Sequence, residues 1–364
     1  MTLSLYVARR FAWMFLRVAG IFFGILMLID MLDQLRRLSK HGVGLLQAAE
    51  LSALNVPDSL YNILPLIMIL SAIAMFLGFS RSSELVVVRA AGRSGLRFLL
   101  APVIVSLLIG SLAVAVLNPL AAATSKAYET RYAGYAQGAE RVLSVSESGL
   151  WLRQGGDGLQ TVVHAVRANG DGTVLFGVTF LSFDENGLPR ERVEAETARL
   201  VPGAWDLETV KIWPLDQQNP EVGARTLERT SIASDLTAAA IRDSFGRPSA
   251  IPVWELPRYI QSLERAGFAA RSHQVWFQMQ LALPLLMSAM VLIAAGFTMR
   301  HIRFGRTGLN VLIALLCGFG IFFLRNFGQV LGETGQVPVM VAAWAPPLAA
   351  TLFALGLLLH LEDG

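Results

Sequence analysis

Six long apolar runs constrain this chain more than anything else in it. Residues 11–32, 60–79, 98–118, 275–299, 309–328 and 337–361 are each apolar over the length needed to cross a bilayer, for which a helix takes about 20 residues. Between the third and the fourth lies a stretch, 121–272, that reads like ordinary soluble protein. The chain is 54% hydrophobic and 16% charged, against about a quarter charged in a typical soluble domain. The deficit sits in the two ends and not in the middle. The fold class expected is therefore membrane α-helical, six transmembrane helices with an inserted all-β, jellyroll-like domain on the far side of the membrane. Domain boundaries fall at 1–120 (spans one to three), 121–272 (the β domain with flanking helices) and 273–364 (spans four to six).

Orientation follows from arginine and lysine in the short loops, which stay on the cytoplasmic side. With the N-terminus inside, the cytoplasmic segments hold nine: Arg9, Arg10, Arg81, Arg89, Arg93, Arg97, Arg300, Arg303 and Arg306. The opposite loops hold four: Arg36, Arg37, Lys40 and Arg325. Both termini are expected in the cytoplasm and the β domain outside, which in a Gram-negative cell is the periplasm. Phe11 to Leu32 exceeds a signal-peptide core and no small-x-small cleavage pattern follows it, so it reads as a span.

Within the insert the apolar period changes from helical to alternating. Gly149-Leu-Trp-Leu-Arg, Thr161-Val-Val-His-Ala-Val and Val174 to Phe183 read as strands, separated by Asn169-Gly170-Asp171-Gly172 and Asn186-Gly187. Those turn residues accept positive φ at little steric cost. Ala121 to Ala139 continues the third span as a helix. Pro252 to Gly267 reads as an amphipathic helix leading into the fourth.

Several function classes drop out. The net charge of +3 and the absence of a dense basic run give no nucleic-acid signal. Lys40, Lys126 and Lys211 are the only lysines and none follows a glycine, so no Walker A loop exists. There is no HExxH, no Gly-x-Ser-x-Gly, no Cys/His cluster, and one cysteine, Cys317, which excludes a disulfide framework. No catalytic residue, metal site or bound cofactor is expected. A secondary transporter is disfavoured because neither inverted repeats nor broken midplane helices are visible.

Three features remain. Ser80-Arg-Ser-Ser-Glu-Leu-Val-Val-Val-Arg-Ala-Ala-Gly92 reads as a short helix over about 81–92, with serines at its N-cap, Glu84 in the first turn and Gly92 after its end. It is either an interfacial connector or a coupling helix that docks on a cytoplasmic ATPase. Asp33-Gln-Leu-Arg36-Arg37-Leu-Ser-Lys40 places three cations at the outer end of span one. They either pair locally, Asp33 with Arg37 at i,i+4, or face an anionic lipid headgroup. Phe22, Phe23, Phe319, Phe322, Phe323 and Phe327 crowd two spans, for which helix or lipid packing is the default.

Taken together, six spans, a β domain after the third and the string Ser83-Glu-Leu-Val-Val-Val-Arg-Ala-Ala-Gly92 resemble the LptF/LptG (YjgP/YjgQ) family of lipopolysaccharide export permeases over essentially the whole chain. Asp33-Gln-Leu-Arg-Arg37, Gly149-Leu-Trp-Leu152 and the Tyr259-Ile…Leu263…Gly267 run are also similar to it, and the first is closer to the LptG branch than to the LptF branch. The resemblance implies a non-catalytic transport subunit of the inner membrane. It would pair with a second six-span permease as a heterodimer and with a cytoplasmic LptB-type ATPase dimer that uses the ATP and Mg. It would extract lipopolysaccharide toward periplasmic jellyroll proteins of LptC and LptA type, with no nucleic acid involved. Carried over by position, Glu84, Arg89 and Gly92 belong to the coupling helix, and Arg36, Arg37, Lys40 and Lys126 to the lipid-headgroup cations. Asp30 and Gln280 depart from positions often basic in that family. The alternative is a force-transmitting membrane subunit or membrane-anchored scaffold that does not itself bind the lipid.

Overall fold

All six apolar runs form helices, and most are longer than their apolar stretches because polar residues extend them past the membrane limits. The computed structural model describes residues 2–38, 43–82, 84, 95–136, 143–146, 149–156, 159–169, 172–184, 187–215, 219–234, 236–237, 241, 247–265, 269–299 and 307–362. The helices able to cross a membrane are Leu3–Leu38, Leu64–Arg81, Arg97–Tyr132, Arg271–Thr298, Gly308–Glu333 and Val339–His360. The chain divides into two compact units, residues 1–137 with 249–254 and 271–364, and residues 138–248 with 255–270.

In the first unit, α1 spans Thr2–Leu38, α2 Leu45–Asn62 and α3 Leu64–Arg81. The sequence pattern gave no warning of α2 as an element of its own. The break at Ile63 lies just ahead of Pro65, which lacks an N–H and is best accommodated in a helix's first turn. Helix α4, Gly95–Leu112, runs through a π-helical turn, Ala113–Leu117, into α5, Asn118–Ala136. At that turn the Trp254 indole donates to the Ala115 carbonyl at 3.2 Å, and the Val253 N–H donates to Asn118 Oδ1 at 2.9 Å. A π turn commonly marks such a local departure from the regular ladder.

After the insert, α7 is Arg271–Thr298, α8 Thr307–Glu333 and α9 Val339–Glu362. Helix α7 is the centre of this unit and packs against α3, α4, α8 and α9. Small side chains permit this, as bilayer helices associate through close packing and not through water exclusion. A Cβ on Gly110 of α4 would lie 2.6 Å from the Pro284 Cα of α7, so only glycine fits there. Arg271 ties the ends of α8 and α9 to α7, donating to the carbonyls of Gly332 at 2.7 Å and Val337 at 3.0 Å. Arg325, counted from the sequence as an outer-loop cation, lies instead inside α8 and is buried.

The second unit is one antiparallel sheet of seven strands in chain order. They are β1 Leu143–Ser146, β2 Gly149–Gly156, β3 Leu159–Ala168, β4 Val174–Phe183, β5 Pro189–Val201, β6 Ala204–Pro214 and β7 Arg225–Ala233. The inserted β domain is present as expected. Its order refines the jellyroll-like reading: the described strands form a meander, without the Greek-key crossings of a double-sheet jelly roll. Leu150, Val163, Phe180, Val193, Trp205 and Val210 line one buried face, and Leu263 of α6 (Leu256–Arg265) packs in the same core. Gln154 serves that core as its polar hub, accepting from Trp205 Nε1 at 3.2 Å and Ser234 Oγ at 2.8 Å.

A crease crosses this sheet. Partners flank but skip Val166, Gly177, Glu196, Thr209 and Glu228 in four successive strand pairs. On that line Gly177 has φ +62° and Thr209 φ +55°. The second is a costly backbone state for a β-branched residue.

Candidate functional site

Helix α1 carries a polar cluster near each end, and both arise from helical spacing. Near its start, Tyr6 and Arg10 share a face at i,i+4 and meet the end of α3. That helix stops as the Ser82 N–H bonds the Gly78 carbonyl at 3.0 Å. Ser80 and Arg81 therefore belong to the last turn of α3, and the rest of the helix expected over about 81–92 lies mostly outside the described residues. Three residues after Arg81 stands Glu84. Arg10 Nη1 donates to Glu84 Oε1 at 2.8 Å and to the Tyr6 hydroxyl at 2.6 Å, while the Tyr6 hydroxyl donates to Glu84 Oε2 at 3.2 Å. The Ser82 hydroxyl lies 2.7 Å from Glu84 Oε1. The Arg10 guanidinium also covers the Phe79 ring, 4.3 Å from its centroid, an attraction of cation and ring quadrupole. Burial pushes the Glu84 carboxyl up, but hydrogen bonds from Arg10 and Ser82 outweigh it and hold the group below the usual carboxylate range. Glu84 is thus an ionised, oriented carboxylate with both oxygens engaged. Arg89 and Gly92 lie outside the described residues.

Near the other end of α1, a cavity of about 450 Å³ is lined by Leu26, Ile29, Asp30, Asp33 and Arg36 of α1 with Val56 and Ser59 of α2. Asp30 Oδ1 accepts from Asn55 at 2.8 Å, and Gln34 donates to the Tyr128 hydroxyl at 2.8 Å. Asp30 Oδ2 and Gln34 Oε1 are buried without a hydrogen-bond partner among the described residues. Arg37 pairs with Asp33 at 2.8 Å, the local alternative that the spacing allowed. Of the four expected headgroup cations, only Arg36 lines the cavity. Lys126 is exposed on α5 and absent from the lining, and Lys40 lies outside the described residues. Four of the six phenylalanines singled out, Phe23, Phe319, Phe323 and Phe327, are exposed on α1 and α8.

Sequence reasoning missed a buried polar group inside the first unit. The Tyr61 hydroxyl of α2 donates to Gln280 Oε1 of α7, both side chains being buried, and Arg325 of α8 is close enough to act on Tyr61 electrostatically. Gln280 and Arg325 stood out in the sequence as polar residues in apolar runs, but nothing signalled that they would converge. Arg10 was visible only as one more cation of the cytoplasmic tally. Among the described residues, no three His, Cys, Asp or Glu side chains converge as a metal site would require.

The sequence profile of the lipopolysaccharide export system permease LptF/LptG family matches residues 5–360. The chain is similar to the lipopolysaccharide export system permease protein LptG of Escherichia coli K12, at 24% identity over 92% of this chain and 91% of that one. It is similar as well to the protein of that name from Haemophilus influenzae, at 22% identity over 95% of each.

Proposed function

The chain belongs to the lipopolysaccharide export system permease LptF/LptG family, and from that premise we propose that it is the permease subunit of an ATP-driven exporter that extracts lipopolysaccharide from the inner membrane. The observation that carries this reading is the extent of the match, residues 5–360, which takes in all six spans and the β insert together. The subunit is non-catalytic. A cytoplasmic ATPase dimer of LptB type binds and hydrolyses ATP with Mg, and a second six-span permease completes a heterodimer. Both termini are cytoplasmic and the sheet periplasmic, where it hands lipid to jellyroll proteins of LptC and LptA type. Strand β7 supports that handover in one respect. Among the described strands it pairs on one side only, and such an edge accepts strand addition from a partner.

Glu84, Arg89 and Gly92 are assigned to the ATPase-coupling segment, and Arg36, Arg37, Lys40 and Lys126 to the lipid headgroup. Glu84→Ala is expected to lower recovery of the ATPase with the tagged chain, with membrane insertion unchanged. Undiminished co-purification would remove Glu84 from the coupling role. A second reading, a subunit that transmits force without gripping the lipid, is favoured by the Asp33–Arg37 pair, which occupies one expected headgroup cation. Arg36→Glu with Arg37→Glu separates the two. Reduced lipid crosslinking with intact assembly supports direct binding, whereas unchanged crosslinking supports the second reading.

A further inference from the structure

Among the described residues, Glu84 is held from α1 by Tyr6 and Arg10 as well as by its neighbour Ser82. Three of the four groups around its carboxylate and the cation beside it, Tyr6, Arg10 and Phe79, come from α1 and α3, and two of these lie 74 and 78 residues away in sequence. Arg10 is the keystone: the same guanidinium nitrogen bonds the carboxylate and the tyrosine hydroxyl, while its plane rests against Phe79, which is itself buried. The side chains of Arg10 and Glu84 are about a third exposed, at 31% and 35%. That leaves the pair partly shielded from water and its attraction less screened than that of a surface pair.

Helix α1 is unbroken from Thr2 to Leu38. Arg36, which lines the cavity at the other end, therefore stands about 39 Å along the same rod from Arg10, at 1.5 Å per residue. A displacement of the Glu84 segment reaches that cavity through one helix if the pair holds, and has to pass through α3 and its neighbours if it does not.

We infer that Arg10 is the positioning residue for Glu84, and that it latches the Glu84 segment to α1 so that the two move as one piece during transport. This rests on the coupling role given to Glu84 above. It adds to that role an element, α1, and a residue, Arg10, that deliver the motion to the outer cavity.

The test uses the full chain assembled with its partners in native membranes, with lipopolysaccharide release counted per ATP hydrolysed. R10E releases at least about fivefold less lipid per ATP, the lower end of ordinary coupling strength, while R10K retains most of the ratio. A parental ratio in R10E overturns the latch. That outcome stands apart from failure of the coupling reading, which is registered by E84A retaining the ATPase. Should R10E fail to insert, R10Q takes its place: it removes the charge without reversing it and is expected to release less lipid per ATP than R10K, whereas a parental ratio in R10Q overturns the latch.

Discussion

The most apolar stretches of helices α1 and α7 have the same mean hydropathy and opposite surroundings. In their most apolar stretches 78% of α7 is buried inside the protein, against 6% of α1. Hydropathy reports what a helix can cross, and so treats the two alike. What separates them is side-chain size along the contact. Helix α7 carries Ala282, Ala289, Ala294, Ala295 and Gly296, and meets Gly110 of α4 backbone to backbone. Helix α1 presents Trp13, Leu16, Ile21, Phe23, Leu28 and Leu32 outward. In a bilayer neither arrangement gains from leaving water, so fit decides which helix becomes the hub. The remaining outward face of α1 is left for lipid or for another protein.

The most severe way to break the comparison is Gly110→Leu. The added side chain would start 2.6 Å from the Pro284 Cα, and forcing it in costs about 3 kcal/mol or more. Loss of folded protein in detergent, read by thermal unfolding, is the expected result. The matched control is Gly20→Leu on α1, where a Cβ meets nothing within 4 Å. It should leave the midpoint unchanged, and equal damage at both sites would abolish the distinction between hub and periphery.

A smaller effect is expected at Gln280, the polar residue in the middle of the hub's contacts. Gln280→Leu removes the Gln280 acceptor from the buried Tyr61 hydroxyl, at a cost of about 1–3 kcal/mol. Adding Tyr61→Phe removes the hydroxyl that lost its acceptor and should return the protein close to its parental stability. If the double variant is as damaged as the single one, the pair is not what joins α2 to α7.

Smallest is the pH response at the α1 end. The Glu84 carboxyl is held below the usual range, so the unfolded chain takes up a proton there before the folded one does. The contribution of its pairing is complete above the ordinary glutamate range and fades as pH falls through the depressed value. Acidification should therefore loosen the Glu84 segment, read as increased labelling of a cysteine placed at Ser82, in the parent but not in Glu84→Gln.

The insert teaches the same lesson with a different period. Strands β2, β3 and β4 were legible because Val, Leu and Phe alternate between glycine-containing turns. Strand β5, Pro-Arg-Glu-Arg-Val-Glu-Ala-Glu-Thr-Ala-Arg-Leu-Val, hides its alternation behind Glu, Arg and Ala, which favour helices in isolation. It becomes a strand because β4 and β6 flank it on both sides.

By itself the sequence determined that six segments cross a membrane, that a sheet is inserted after the third, and that the glutamate after span two and the basic pair after span one merit attention. Those properties are local: a run length, an alternation, a charge at a helix end. Only the tertiary structure decided that α7 is the hub, that α2 stands apart from α3, that a crease crosses the sheet and that Glu84 belongs to Arg10. Each of these is a meeting of residues far apart in the chain. Whether two such residues meet depends on helix rotation and close fit, which no single stretch of sequence specifies.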